Sequence, residues 1–154
     1  MVLYVNMKKS LIIAILSFIA IFNATYLSYK AYQFMYTGSV SSSFCDLSQT
    51  SSCTEVLKHP LSRVFGIPFP WIALVVYPLL FALATAAYKS NKILYIKIIQ
   101  KLSFLGMLFN GFIIYREVFY IYSYCLLCLM CTAIIVTIFS LSTSEIKKVT
   151  GKYC

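Results

Sequence analysis

Four apolar runs, separated by short polar breaks, leave this 154-residue chain few ways to fold. They cover about residues 11–32, 70–88, 97–117 and 118–141, each close to the roughly 20 residues that carry a helix across the hydrocarbon of a bilayer. Inside lipid a helix satisfies every backbone N–H and C=O within its own segment. The runs therefore predict an all-α integral membrane protein, a four-transmembrane-helix bundle spanning residues 1–154 as a single domain. The third run is the weakest, since only Leu102 to Tyr115 is uninterrupted and Lys97 and Lys101 must snorkel to water. Composition agrees: 61% of residues are hydrophobic and 11% charged, against about 45–50% and about 25% in soluble domains. A cleaved signal peptide is the alternative for the first run. Because the apolar stretch continues into NATYLSYKAYQFMY with no small-x-small cleavage site, an uncleaved span is expected.

The net charge of +9 does not indicate nucleic acid, because the basic residues form no continuous patch between stacking aromatics. They cluster at the ends of the runs, where an excess of Lys and Arg marks the cytoplasmic side. An even number of spans puts both termini on one face, and Lys8, Lys9, Lys89, Lys92, Lys97, Lys101, Lys147, Lys148 and Lys152 fall there. The other face receives only Lys30, Lys58, Arg63 and Arg116, with Asp46, Glu55 and Glu117. The expectation is a multi-pass protein of the plasma or inner membrane with cytoplasmic termini and an outer loop over residues 37–69.

That loop is rich in Ser, Thr and Gly and holds Cys45 and Cys53. Outside the cytoplasm two such thiols can close a disulfide, which by itself is no more than a staple. TEVLKHPL, following Cys53, has the spacing of a short amphipathic helix whose Val56, Leu57 and Leu61 can rest on the membrane surface and carry Cys53 over the bundle like a lid. A second pair, Cys125 and Cys128, lies where the fourth span begins on the same face. C-x-x-C puts two sulfurs on neighbouring turns, and the open N–H groups of a helix N-terminus favour a reactive thiolate. Two pairs on one face suggest a relay of electrons.

Cys131 extends the spacing to C-x-x-C-x-x-C, which has the look of a metal site. A structural zinc needs about four ligands, iron–sulfur runs add a further cysteine and a flexible loop, and the leucines between these thiols demand a helix. No metal is expected; Cys131 reads as a packing residue and Cys154 as incidental. A relay that ends in a membrane needs a lipid-soluble acceptor, and location alone points to a quinone beyond Cys128. Tyr26, Tyr29, Tyr32 and Tyr36 form either an interfacial belt or a wall of its pocket. Arg116 and Glu117 close the third span near Cys125, as snorkelling anchors or as groups that tune the thiol.

FCDLSQTSSCTEVL, then FGIPFPWIALVVY and CLLC, resemble the bacterial and archaeal homologues of vitamin K epoxide reductase over nearly the whole chain. The resemblance implies a four-helix bundle that oxidises a separate, extracytoplasmic thioredoxin-like protein and passes electrons to ubiquinone or menaquinone in support of disulfide formation. It implies that Cys45 takes the partner's attack, Cys53 shuttles to Cys125, and Cys128 faces the quinone. It also marks departures: His59 stands where a hydroxyl residue is common, Phe69 where Asn often follows Gly-Ile-Pro, and Thr132 where vitamin K reductases have Tyr. His59 and Arg116 are thus candidate supporting residues, and Phe69 and Thr132 candidate quinone contacts. The rivals are a four-span thiol carrier of a soft metal and a structural subunit with one loop staple.

Overall fold

The computed structural model describes residues 6–38, 46, 53–60, 63–123 and 125–151. Helix α1 spans Met7–Thr37, the short α2 Cys53–Lys58, α3 Phe69–Ser90, α4 Ile93–Arg116 and α5 Leu126–Gly151, with strands β1 (Arg63–Val64) and β2 (Ile67–Pro68) between α2 and α3. Four of these helices are long and apolar enough to cross a membrane, α4 counting together with a following π-helical turn at Glu117–Ile121. The protein is an all-α, multi-pass membrane bundle. α1 stops at Gly38, whose φ of 67° is the left-handed conformation that glycine adopts without penalty. Its N–H closes the helix onto the Phe34 carbonyl at 3.1 Å.

α1 packs most extensively on α3. Its buried face reads Ser10, Ile13, Ser17, Ala20, Ala24, Leu27 and Ala31, steps of three and four that draw one stripe along the helix. The stripe is mostly small, so backbones approach closely, which is how helices associate where lipid is as apolar as the side chains. Leu80, Ala84 and Ala87 of α3, Ile96 and Ile99 of α4, and Ile135 and Ile138 of α5 complete the core. Ser17 and Ser142, both buried, return their hydroxyls to the carbonyls of Ile13 and Ile138 at 2.8 Å, so neither burdens the interior with an unmade bond. Phe22, Val75 and Leu105 lie on the outside, roughly two-thirds exposed, as lipid-facing residues do.

The first and last helices meet at one end of the bundle. Glu145, 1% exposed, accepts the Asn6 N–H at 3.1 Å and pairs with the Lys9 ammonium at 2.8 Å. Helix boundaries depart most from expectation between the third and fourth spans. The fourth was expected from Val118, but residues 117–121 prolong α4 through the π turn and α5 begins at Leu126. The chain reverses at Tyr122, whose φ is 54°. Uninterrupted apolar sequence hid this turn, because Val118, Phe119 and Tyr120 suit either helix equally.

Candidate active site

The site lies at the opposite end, beneath α2. Cys53 opens that helix, and a carboxylate holds its first turn: Asp46 accepts the Thr54 N–H at 3.1 Å and the Thr54 hydroxyl at 2.6 Å. Such a bond meets N–H groups that a helix start leaves open. Val56 and Leu57 then turn inward, 0% and 5% exposed, onto Leu27, Ala31, Phe69 and Ile113. The apolar face of α2 therefore covers the bundle instead of resting on the membrane surface. Leu61 lies outside the described residues.

Under this lid sits the start of α5. Cys125 is its N-cap, since its carbonyl accepts the Leu129 N–H at 3.1 Å, and Cys128 follows one turn in. Glu117 reaches across the reversal to accept the Cys125 N–H at 3.2 Å. The Cys125 thiol donates to the sulfur of Cys53 at 2.8 Å, and both residues are fully buried. That separation exceeds the about 2.05 Å of a disulfide, so the contact is one between a free thiol and its neighbour. Cys53 is itself held in a disulfide, whereas Cys125, Cys128 and Cys131 are free. A thiol seated on a disulfide-bonded sulfur is the arrangement from which thiol–disulfide exchange proceeds.

Cys128 also faces a narrow cleft between α1, α3, α4 and α5 with about 40 Å³ of open space, well below the roughly 300–1,000 Å³ usual for small-molecule sites. Leu27, Phe69, Val76 and Phe109 make its walls apolar, and its few polar groups include Tyr77, Asn110 and the thiols of Cys128 and Cys131. Tyr77 donates its hydroxyl to the Cys131 carbonyl at 3.1 Å. The Asn23 amide donates to the Leu127 carbonyl at 2.9 Å and to the Cys131 sulfur at 3.2 Å. An open apolar groove along Ile72, Val76, Leu102, Leu105, Gly106 and Phe109 shares four of its residues with the cleft.

The sequence matches the vitamin K epoxide reductase family over residues 11–143, from the first span to the last. The chain belongs to that family. No curated protein matches it individually. Membership of the vitamin K epoxide reductase family makes this an oxidoreductase of the membrane, and the clustered thiols are the groups able to carry that chemistry.

Of the residues singled out from sequence, Cys53, Cys125 and Cys128 come together, and Cys45 and Cys154 lie outside the described residues. Phe69 and Cys128 line the cleft, but Thr132 does not, because its hydroxyl turns back to the Cys128 carbonyl at 3.0 Å. Arg116 points away, its guanidinium 5.4 Å from the Phe112 ring centre beside Tyr115 and Tyr120; the acidic neighbour, Glu117, is the one that touches the pair. His59 is half-buried at the end of α2, its N–H bonded to the Val56 carbonyl at 3.3 Å. Tyr29, Tyr32 and Tyr36 are exposed and form an outer belt, apart from the cleft. Among the described residues no group of three or more His, Cys, Asp and Glu side chains is disposed to hold a metal ion. Sequence reading missed Asn23, Tyr77 and Asn110. Their signal was available: polar groups within apolar spans are costly and tend to be functional.

Proposed function

We propose that this protein is a membrane thiol:quinone oxidoreductase that oxidises a separate thioredoxin-like protein outside the cytoplasm and passes the electrons to ubiquinone or menaquinone, supporting disulfide formation. The observation that carries this reading is the 2.8 Å contact between Cys53 and Cys125 with Cys128 opening onto an apolar cleft. A chain of sulfurs thus leads from a lid to a lipid-accessible space. The lysines gathered near the terminal end support cytoplasmic termini, with the thiols on the outer face.

In this reading the partner's dithiol reduces the outer disulfide through Cys45, and the freed Cys53 thiolate attacks Cys125 of an inner Cys125–Cys128 disulfide, expelling the Cys128 thiolate. Return of Cys45 to Cys53 restores the outer bond and releases Cys125. Two thiols then stand in the inner pair, as Cys125 and Cys128 do in the structure. Closing them again breaks two S–H bonds and forms one S–S bond. A bound quinone accepts the two electrons and two protons. Cys128 and Phe69 would meet its ring from α5 and α3 as the cleft widens, and Asn110 would offer a hydrogen bond to one of its oxygens, while the lid excludes water.

The test is quinol formation by the protein in liposomes supplied with a reduced thioredoxin-like protein and either quinone. Cys125→Ala and Cys128→Ala should each abolish turnover. Treated with diamide as the two-electron oxidant and without the reduced partner, the double variant Cys45→Ala/Cys128→Ala should accumulate a Cys53–Cys125 disulfide. Peptide mapping that finds only free thiols at 53 and 125 would overturn the relay. A soft-metal carrier would instead lose its activity to chelators, which should leave quinol formation unchanged.

A further inference from the structure

Glu117 has no place in the relay as written, yet it is 1% exposed at the end of an apolar span. A carboxyl group there is costly unless the fold uses it. One oxygen accepts the Cys125 N–H at 3.2 Å, and the carboxyl group also lies against the Cys128 thiol. Glu117 opens the π-helical turn, a local widening common at functional sites. It is buried while Val118, Phe119 and Tyr120 beside it are exposed, so the turn aims this one side chain inward.

The geometry is repeated on the facing element. Asp46 holds the first turn of α2 from eight residues upstream of Thr54, and Glu117 holds the start of α5 from eight residues upstream of Cys125. Each cysteine of the 2.8 Å contact therefore stands at a helix start secured by a carboxylate. Cys125 has no helical carbonyl to take its own N–H, and its thiol is occupied by Cys53. Without Glu117 the backbone at Cys125 would have no described anchor on the third span.

We propose that Glu117 is a positioning residue for the inner cysteine pair: as a hydrogen-bond strut of fixed length it ties the Cys125 amide to the third span and so keeps the Cys125 sulfur on Cys53. The role rests on the relay proposed above. It belongs to the length and acceptor oxygen of the side chain, so Glu117→Gln, which keeps both, retains function. Glu117→Asp, which keeps the charge but shortens the reach, does not. Both replacements are polar and no larger than the parent, so neither fills the site with excess bulk.

The experiment measures the rate at which Cys53 and Cys125 cross-link in the Cys45→Ala/Cys128→Ala protein when diamide is added. Diamide takes up the two electrons and two protons released as the S–S bond forms, so neither quinone nor partner is needed. Adding Glu117→Gln should leave the rate within about twofold, and adding Glu117→Asp should lower it about tenfold and speed hydrogen exchange at the Cys125 amide. Equal rates for Asp and the parent, or a loss with Gln as large as with Asp, would overturn the strut. A parent that forms no cross-link overturns the relay and this role together. If this double variant cross-links normally but the protein with all its cysteines never reduces quinone, the function proposed above falls and the strut stands.

Discussion

The lid can be loosened at one residue. Val56 has no exposed surface and packs into the cluster that contains Cys53, Cys125 and Cys128. Val56→Ala removes two methyl groups, worth about 1.6 kcal/mol at about 0.8 kcal/mol each, and incomplete closure of the resulting space raises the cost to about 2 kcal/mol. If α2 lifts as a unit, the whole of that cost enters the equilibrium between docked and lifted lid. At about 1.4 kcal/mol per decade the lifted population rises roughly thirtyfold. Cys125 is fully buried beneath the lid, so a water-soluble maleimide can reach it only after lifting. With reagent slow relative to reclosure, labelling follows the lifted population. The assay is the labelling rate at Cys125, read by peptide mapping, in the protein with and without Val56→Ala. Val75→Ala, on the lipid-facing side of α3 and 69% exposed, serves as the control and should change nothing. If labelling rises less than about threefold while the variant keeps its helical content, Val56 does not hold the lid and α2 is not the gate.

Two further outcomes follow from neighbours of the pair. Cys131→Ala should keep at least about half of the parent's quinol formation, since Asn23 still donates to the Leu127 carbonyl and Tyr77 donates to a backbone oxygen that the change leaves in place; a loss beyond tenfold in a folded protein would make Cys131 a third redox thiol. His59→Ala should slow quinol formation severalfold and His59→Ser should recover part of it, because imidazole and hydroxyl can both pass a proton near neutrality; identical rates for all three proteins would leave His59 no role.

Four spans, the meeting of the first and last helices at one end, and the gathering of Cys53 with Cys125 and Cys128 at the other could be read from the chain alone. Helix formation in lipid is a local demand, met residue by residue from apolar composition, and an even number of crossings is arithmetic. What faces what could not be read. In a soluble helix polar residues mark the outer face, but here Phe22 outside and Ile13 inside are equally apolar, and hydrophobicity carries no signal of rotation. Arg116 therefore looked as near to Cys125 as Glu117 did, and only the π turn decides that the carboxyl group turns inward and the guanidinium stays over Phe112. Thr132 shows the same limit: the resemblance made it a candidate quinone contact, yet within an apolar helix its hydroxyl bonds the nearest carbonyl. The reversal at Tyr122, with Cys125 as N-cap, is likewise a product of assembly, because a run of apolar residues does not say where one helix ends and the next begins. The 2.8 Å contact joins residues 72 positions apart. Packing of α2 onto three helices makes that contact, and no spacing along the chain encodes it.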